Sequence, residues 1–322
     1  MQMQDILNVV ENEFNDLNTL IHAQLESRVP LVEKVAEYII NSGGKRIRPL
    51  LVILTAKAFN QCDERAVKLA TVIEFLHTAT LLHDDVVDTS DLRRGNPTAN
   101  AMFGNAPSVL VGDFLYSRSF EMLVELSCIP VMTILAKATG IIAEGEVLQL
   151  TNVRNPDITE QQYMDVIQGK TAMLFEAATG GMARLIGRSP KECEAMRIYG
   201  QQLGLAFQMA DDVLDYEGDA EAMGKNVGDD LAEGKTTLPL IHAIKHGSDE
   251  QKKLIRSAIR KGGLNDMSEV LSIVHELNSI EYTQQKAQEC IDRALEQLKI
   301  LPESPARSAL EALALLAINR KN

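Results

Sequence analysis

Apolar residues recur at three- and four-residue spacing along the whole chain, and this constrains the fold more than any other feature. The pattern runs through Ile6, Val9, Val10, Phe14, Leu17 and Ile21, through Leu69, Ile73, Leu76 and Thr80, and through Leu310, Leu313, Leu316 and Ala317. Such spacing puts one apolar stripe on a helix. Alternating period-two runs bounded by turns are scarce, so a sheet is not expected. Short breakers divide the helices: Gly43-Gly44, Gly95-Asn96-Pro97, Ala106-Pro107, Asn155-Pro156-Asp157, Ser189-Pro190, Gly247-Ser248 and Gly262-Gly263. Pro107 and Pro190 stand where a first helical turn belongs. No break is long or polar enough for an interdomain linker. The expected architecture is all-α, a single large bundle of roughly a dozen helices over residues 1–322.

Composition narrows the function classes. Hydrophobic residues make up 45% and charged residues 24%, an ordinary globular balance, and the net charge of −13 argues against a nucleic-acid partner. Cys62, Cys128, Cys193 and Cys290 lie far apart, without the pairing of a zinc or disulfide framework. Met1 to Glu13 is acidic and amphipathic, unlike a secretory signal. No stretch reaches the about 18 unbroken apolar residues of a membrane span. A cytoplasmic protein is expected.

The most informative segment is His83-Asp84-Asp85-Val86-Val87-Asp88. On a helix Asp84 and Asp88 share a face, and Asp85 lies one turn from Asp88. Like charges at that spacing oppose each other, and here they stand among leucines and valines, so a positive partner is required. The pattern returns as Asp211-Asp212-Val213-Leu214-Asp215. With 19 Asp in 322 residues, chance places such a motif about 0.06 times per chain. Carboxylates without His or Cys are hard oxygen ligands suited to Mg²⁺ or Mn²⁺, and the calcium-loop spacing is missing. Mg²⁺ commonly completes its shell with substrate phosphate, which points to a diphosphate substrate whose carbon–oxygen bond ionises.

An acidic chain aimed at diphosphates must gather its cations locally. Gly43-Gly44-Lys45-Arg46-Ile47-Arg48-Pro49 is a turn followed by three cations in four residues. Arg93-Arg94 follows the first aspartate helix, Lys170-Thr171 follows a glycine, and Lys225 and Lys235 follow the second cluster in glycine-containing contexts. Arg forks grip phosphate oxygens bidentately and Lys acts as a point charge. His77, two turns before Asp84, reads either as a buried structural histidine or as a phosphate contact.

These segments resemble the trans-isoprenyl diphosphate synthases. The likeness rests on G-G-K-R-I-R-P at 43–49, H-D-D-V-V-D followed by R-R-G at 83–95, and G-K-T at 169–171. F-Q-M-A-D-D-V-L-D at 207–215 and the G-K-N-V-G-D-D-L-x-E-G-K-T run at 224–236 complete it. The resemblance implies an all-α bundle with a central active-site cavity, usually a homodimer. It implies that Asp84, Asp88, Asp211, Asp212 and Asp215 ligate Mg²⁺, with Asp85 in support. Lys45, Arg48, His77 and Arg94 would hold isopentenyl diphosphate. Arg93, Lys170, Thr171, Gln208, Lys225 and Lys235 would hold the allylic diphosphate. Ionisation, condensation and proton loss would follow, with Asp84, Asp85, Asp88, Lys170 and Asp211 as the catalytic set.

Product length is a separate expectation. Ala79 and Thr80 are small residues one turn before Asp84, where short-chain relatives carry aromatic plugs, so a long product is expected, with Met122 and Leu123 near the floor of its tunnel. Farnesyl diphosphate is the expected primer. The product is read as eight isoprene units for a quinone side chain, with seven or nine left open, and transient membrane contact would serve its release. A terpene cyclase normally lacks the second aspartate motif and the basic loop, and a non-catalytic synthase subunit tends to lose aspartates. Both motifs are intact here.

Overall fold

Local signals set the helix ends. In this computed structural model, residues 1–217, 228–262 and 265–319 are described. Helices α1 (Met3–Val9) and α2 (Glu11–Gln24) are followed by α3 (Pro30–Asn41), started by a proline in its first turn. After α4 (Ile47–Ala58), Asp63 caps α5 (Glu64–Val87) by accepting from the Arg65 amide at 3.0 Å. Helices α6 (Ala99–Phe103), α7 (Asn105–Glu125) and α8 (Ile129–Asn152) follow, then α9 (Glu160–Ile167), whose Thr159 and Gln162 form a capping box. A π-helical turn, Gln168–Ala172, leads into α10 (Met173–Leu185) and α11 (Pro190–Glu217). The rest is α12 (Asp229–Ala232), α13 (Leu238–His246), α14 (Asp249–Lys261), α15 (Met267–Glu276), α16 (Ser279–Gln297) and α17 (Pro305–Ile318).

The chain groups into two compact units. The first comprises residues 1–137, 174–200 and 297–313; the second comprises 138–173, 201–296 and 314 onward. In the first, α5 is buried along most of its length, with Leu69, Val72, Ile73, Phe75, Leu76, Ala79 and Leu82 all inside. Helices α2, α4 and α7 pack against it. In the second, Val213 and Tyr216 of α11 join Leu231, Leu240, Ile255, Ile259, Val270, Val274 and Ile280 in one apolar cluster.

A minimal hairpin departs from the purely helical reading. Leu92–Arg93 pairs antiparallel with Asn96–Pro97 around Arg94 and Gly95, which have φ of 53° and 76°. Positive φ at both central positions marks a type I′ turn. Strands of two residues are too short to show alternation, so periodicity could not find them. Among the described residues no helix is long and apolar enough to cross a membrane.

Candidate functional site

The first aspartate motif ends α5. Asp84 and Asp85 occupy its last turn and Asp88 is the C-cap, its amide bonded to the Asp84 carbonyl at 2.7 Å. A helix C-terminus carries partial negative charge, so three carboxylates there make a strongly cation-seeking end. Asp85 has its cation within the chain. Arg93 grips Asp85 bidentately, with Nε at 3.0 and 3.1 Å and Nη2 at 2.6 Å, and Asp85 is only 1% exposed. The hairpin thus delivers Arg93 to the motif's middle residue. Next to it, the His83 ring lies 3.3 Å from Asp113 and seats against Gly112 of α7, where a Cβ would collide with the ring.

The basic residues of the first unit converge. Arg46 adopts a left-handed backbone, φ 45°, at the N-cap of α4. Gly44, at φ 144°, lies so close to Arg94 that an added Cβ would stand 2.6 Å from Nη1. Arg48 Nη1 is 3.1 Å from His77 Nε2, and its guanidinium sits 4.4 Å above the Phe175 ring. Because arginine can only donate, His77 Nε2 accepts, and its proton belongs on Nδ1. Burial and the charges of Arg48, Arg94 and Arg93 push His77 well below an ordinary histidine pKa, so it is neutral. Lys45 stands exposed on the same loop. The sequence reading missed Glu74, one turn before His77. It is 8% exposed, and its Oε1 is 3.9 Å from Arg46 Nε.

In the second unit the Gly169-Lys170-Thr171 motif lies on the π turn. Its backbone packs on α8 at Gly145, where a Cβ would come within 2.7 Å of the Lys170 nitrogen. Lys170 Nζ donates to Glu146 at 2.6 Å. Thr171 donates to Gln208 Oε1 at 2.8 Å, Gln208 Nε2 donates to Asp212 Oδ1 at 2.9 Å, and the Tyr163 hydroxyl donates to Asp212 Oδ2 at 2.5 Å. Asp212 is 2% exposed, and burial together with the nearby Asp230 charge raises its pKa well above the usual carboxylate range. Asp215 accepts from the Asp230 amide at 3.3 Å, while Lys235 is 2.5 Å from Glu233. Asp211 precedes Asp212 on α11. Lys225 lies outside the described residues. Glu146 and Tyr163 had no signal in the sequence, since each is a single polar residue met only through folding.

Of the residues assigned to chain length, Ala79 is 1% exposed and Thr80 partly buried, its hydroxyl bonded to the His77 carbonyl at 2.7 Å. Met122 and Leu123 are buried in α7. Ala79 is therefore enclosed by neighbours that a larger side chain would have to displace.

The donor chemistry suits a hard divalent ion. Among the described residues, no three His, Cys, Asp or Glu side chains converge as a ready-made cage. Mg²⁺ takes one or two carboxylates and fills its remaining positions with water and phosphate oxygens. Asp84 and Asp88 in one unit, and Asp211, Asp212 and Asp215 in the other, offer the hard carboxylate oxygens such an ion takes.

A family model described as polyprenyl synthetase matches residues 29–277. The chain is 50% identical over 321 residues to octaprenyl diphosphate synthase of Escherichia coli, covering 99% of each. It is 47% identical to an all-trans-nonaprenyl-diphosphate synthase (geranyl-diphosphate specific) of Rhodobacter capsulatus, covering 98% of each. Among solved structures, the polyprenyl synthase of Caulobacter crescentus CB15, complexed with calcium and isoprenyl diphosphate, superposes with a TM-score of 0.96 at 41% identity, covering 100% of this chain and 98% of that one. The chain belongs to the polyprenyl synthetase family.

Proposed function

We propose that the protein is a long-chain trans-polyprenyl diphosphate synthase that adds isopentenyl diphosphate repeatedly to farnesyl diphosphate and yields octaprenyl diphosphate for a quinone side chain. The observation that carries this reading is the cluster of Arg48, His77 and Arg94 built on the Gly43–Lys45 turn. The cluster suits an anion, in a chain half identical to an octaprenyl diphosphate synthase.

Lys45, Arg48 and Arg94 hold the diphosphate of isopentenyl diphosphate, with neutral His77 orienting Arg48. Lys170, Thr171 and Gln208 take the allylic diphosphate, joined by Lys225 and Lys235, and Arg93 acts through Asp85. Asp84, Asp88, Asp211, Asp212 and Asp215 are the metal ligands, with Tyr163 and Gln208 steadying Asp212. Bound Mg²⁺, or Mn²⁺ in its place, supplies charge neutralisation to the departing diphosphate. The isopentenyl double bond attacks the resulting allylic cation, and the proton lost passes to the released diphosphate. Each compact unit carries part of the motif set, which supports taking residues 1–322 as one synthase domain.

A homodimer is part of the proposal. α7 leaves Leu110 and Val124 exposed at 65% and 59%, and Ile129 follows at 69%, apolar surface that a second copy would cover. The enzyme is placed in the cytoplasm, and the water-insoluble product supports a transient membrane contact at release. The test is incubation with Mg²⁺, farnesyl diphosphate and labelled isopentenyl diphosphate, followed by sizing of the dephosphorylated product. Eight units are expected; seven or nine would revise the length, and no elongation would overturn the reading.

A further inference from the structure

A carboxylate buried inside an anion-binding cluster calls for a physical reason. Glu74 sits on α5 one turn before His77, 8% exposed, with Oε2 buried and without a hydrogen-bond partner. Its Oε1 faces Arg46 Nε at 3.9 Å, too long for a firm hydrogen bond. Arg46 instead donates to Asn18, so Asn18 already anchors that guanidinium. Burial raises the pKa of Glu74 above the usual carboxylate range, and the charges of Arg46, Arg48 and Arg94 oppose that rise. A carboxylate with one oxygen unbonded and the other 3.9 Å from Arg46 Nε is poor as a structural clamp. In its ionised form, which the neighbouring arginines favour, it carries a charge that burial leaves poorly screened.

The chemistry of chain growth gives that charge a use. In each condensation the allylic diphosphate departs, and the product carries the diphosphate that arrived on isopentenyl diphosphate. The basic cluster must therefore let go of that group before the next isopentenyl diphosphate can enter. A site holding it too tightly would bind well and turn over slowly, because binding strengthened in the ground state does not speed the following step.

We propose that Glu74 tempers the isopentenyl diphosphate site: its buried carboxylate offsets part of the charge of Arg46, Arg48 and Arg94, so that the diphosphate is released once per condensation. Glu74 touches no substrate in this account and acts through the arginines, as a positioning residue. The inference rests on the isopentenyl assignment made above.

The test compares wild type, Glu74→Gln and Glu74→Asp. Isothermal titration with isopentenyl diphosphate in the presence of chelator reads the basic cluster without any metal contribution. Glu74→Gln is expected to bind about tenfold more tightly, equivalent to about 1.4 kcal/mol. Its kcat for elongation with Mg²⁺ should fall several-fold while KM for isopentenyl diphosphate also falls. Glu74→Asp keeps the charge and should match wild type in both. Unchanged or weaker binding by a folded Glu74→Gln would overturn the proposal, since a mere anchor for Arg46 loosens the site when lost. If Glu74→Gln does not fold, Glu74→Asp decides: wild-type affinity and turnover support the charge role, and weakened binding in a folded Glu74→Asp refutes it. Failure of the activity reading would look different, as wild-type protein that elongates nothing.

Discussion

The Arg94 guanidinium rests on the backbone of Gly44, so closely that a methyl group there would stand 2.6 Å from Nη1. The glycine at φ 144° therefore does two things: it turns the chain and leaves room for a cation from a distant hairpin. Gly44→Ala strains the backbone by about 1–3 kcal/mol and displaces Arg94. KM for isopentenyl diphosphate should rise by about tenfold or more, with little change in the allylic KM. Kinetics with each substrate varied in turn check this, and an equal rise in both would detach the loop from a single substrate.

Both aspartate motifs are assigned to metal. Asp84→Ala and Asp211→Ala should each lower kcat by at least about a hundredfold, the scale of losing an electrostatic stabiliser. The check is turnover across a Mg²⁺ titration after chelation. Near-normal turnover in either variant would remove that motif from the machinery.

Tyr163 has its effect through Asp212. Tyr163→Phe leaves the volume and deletes the donor at 2.5 Å from Oδ2, a loss of about 1–3 kcal/mol for a buried carboxylate. A thermal melt should show a drop of several degrees. The chain from Tyr163 through Asp212 and Gln208 reaches Thr171, so the allylic KM should rise more than the isopentenyl KM. Kinetics that change both equally would make Tyr163 a purely structural residue.

His77 gives a pH prediction with a definite sign. Its folded pKa is lowered by burial and by Arg48, Arg94 and Arg93, so the unfolded chain takes up a proton near pH 6.5 that the folded chain refuses. Stability is then greatest above about pH 6.5 and falls on acidification below it, with a slope of up to about 1.4 kcal/mol per pH unit from this residue. His77→Gln preserves an acceptor for Arg48 and should lack that slope. Urea unfolding of both proteins between pH 5 and 8 reads the difference, and parallel curves would show that His77 titrates normally.

Ala79 is enclosed, so a ring placed there must move its neighbours. Ala79→Tyr should lower the melting temperature, since overpacking costs about 1–3 kcal/mol. It should also halt products well short of wild-type length if the growing chain passes this turn of α5. Mass spectrometry of dephosphorylated products beside a melt separates the two effects. A folded Ala79→Tyr making full-length product would place the length limit elsewhere, as at Met122 and Leu123.

Helical class and both aspartate motifs were legible because they are written locally, in the spacing of Leu69, Ile73 and Leu76 and in repeated Asp-Asp-x-x-Asp. The cations around the first motif were legible as a set. Their division of labour was not: Arg93 and Arg94 are neighbours in sequence, yet the type I′ turn sends one to Asp85 and the other to Gly44. Glu74 and Tyr163 were hidden for a related reason. A lone polar residue in an apolar helix looks like noise until folding brings Arg46 to one and Asp212 to the other.

Gly112 illustrates a cost accepted far from any motif. Mid-helix glycine gives up about 1 kcal/mol of local preference relative to alanine, so stabilisation by propensity alone would replace it first. Here that replacement drives a methyl group into the His83 ring, immediately before Asp84. Improving α7 as a helix would disturb the end of α5, where the first aspartate motif stands. A thermostabilised version of this enzyme should keep Gly112 and seek its gains at positions where added atoms meet open space, such as Gly140.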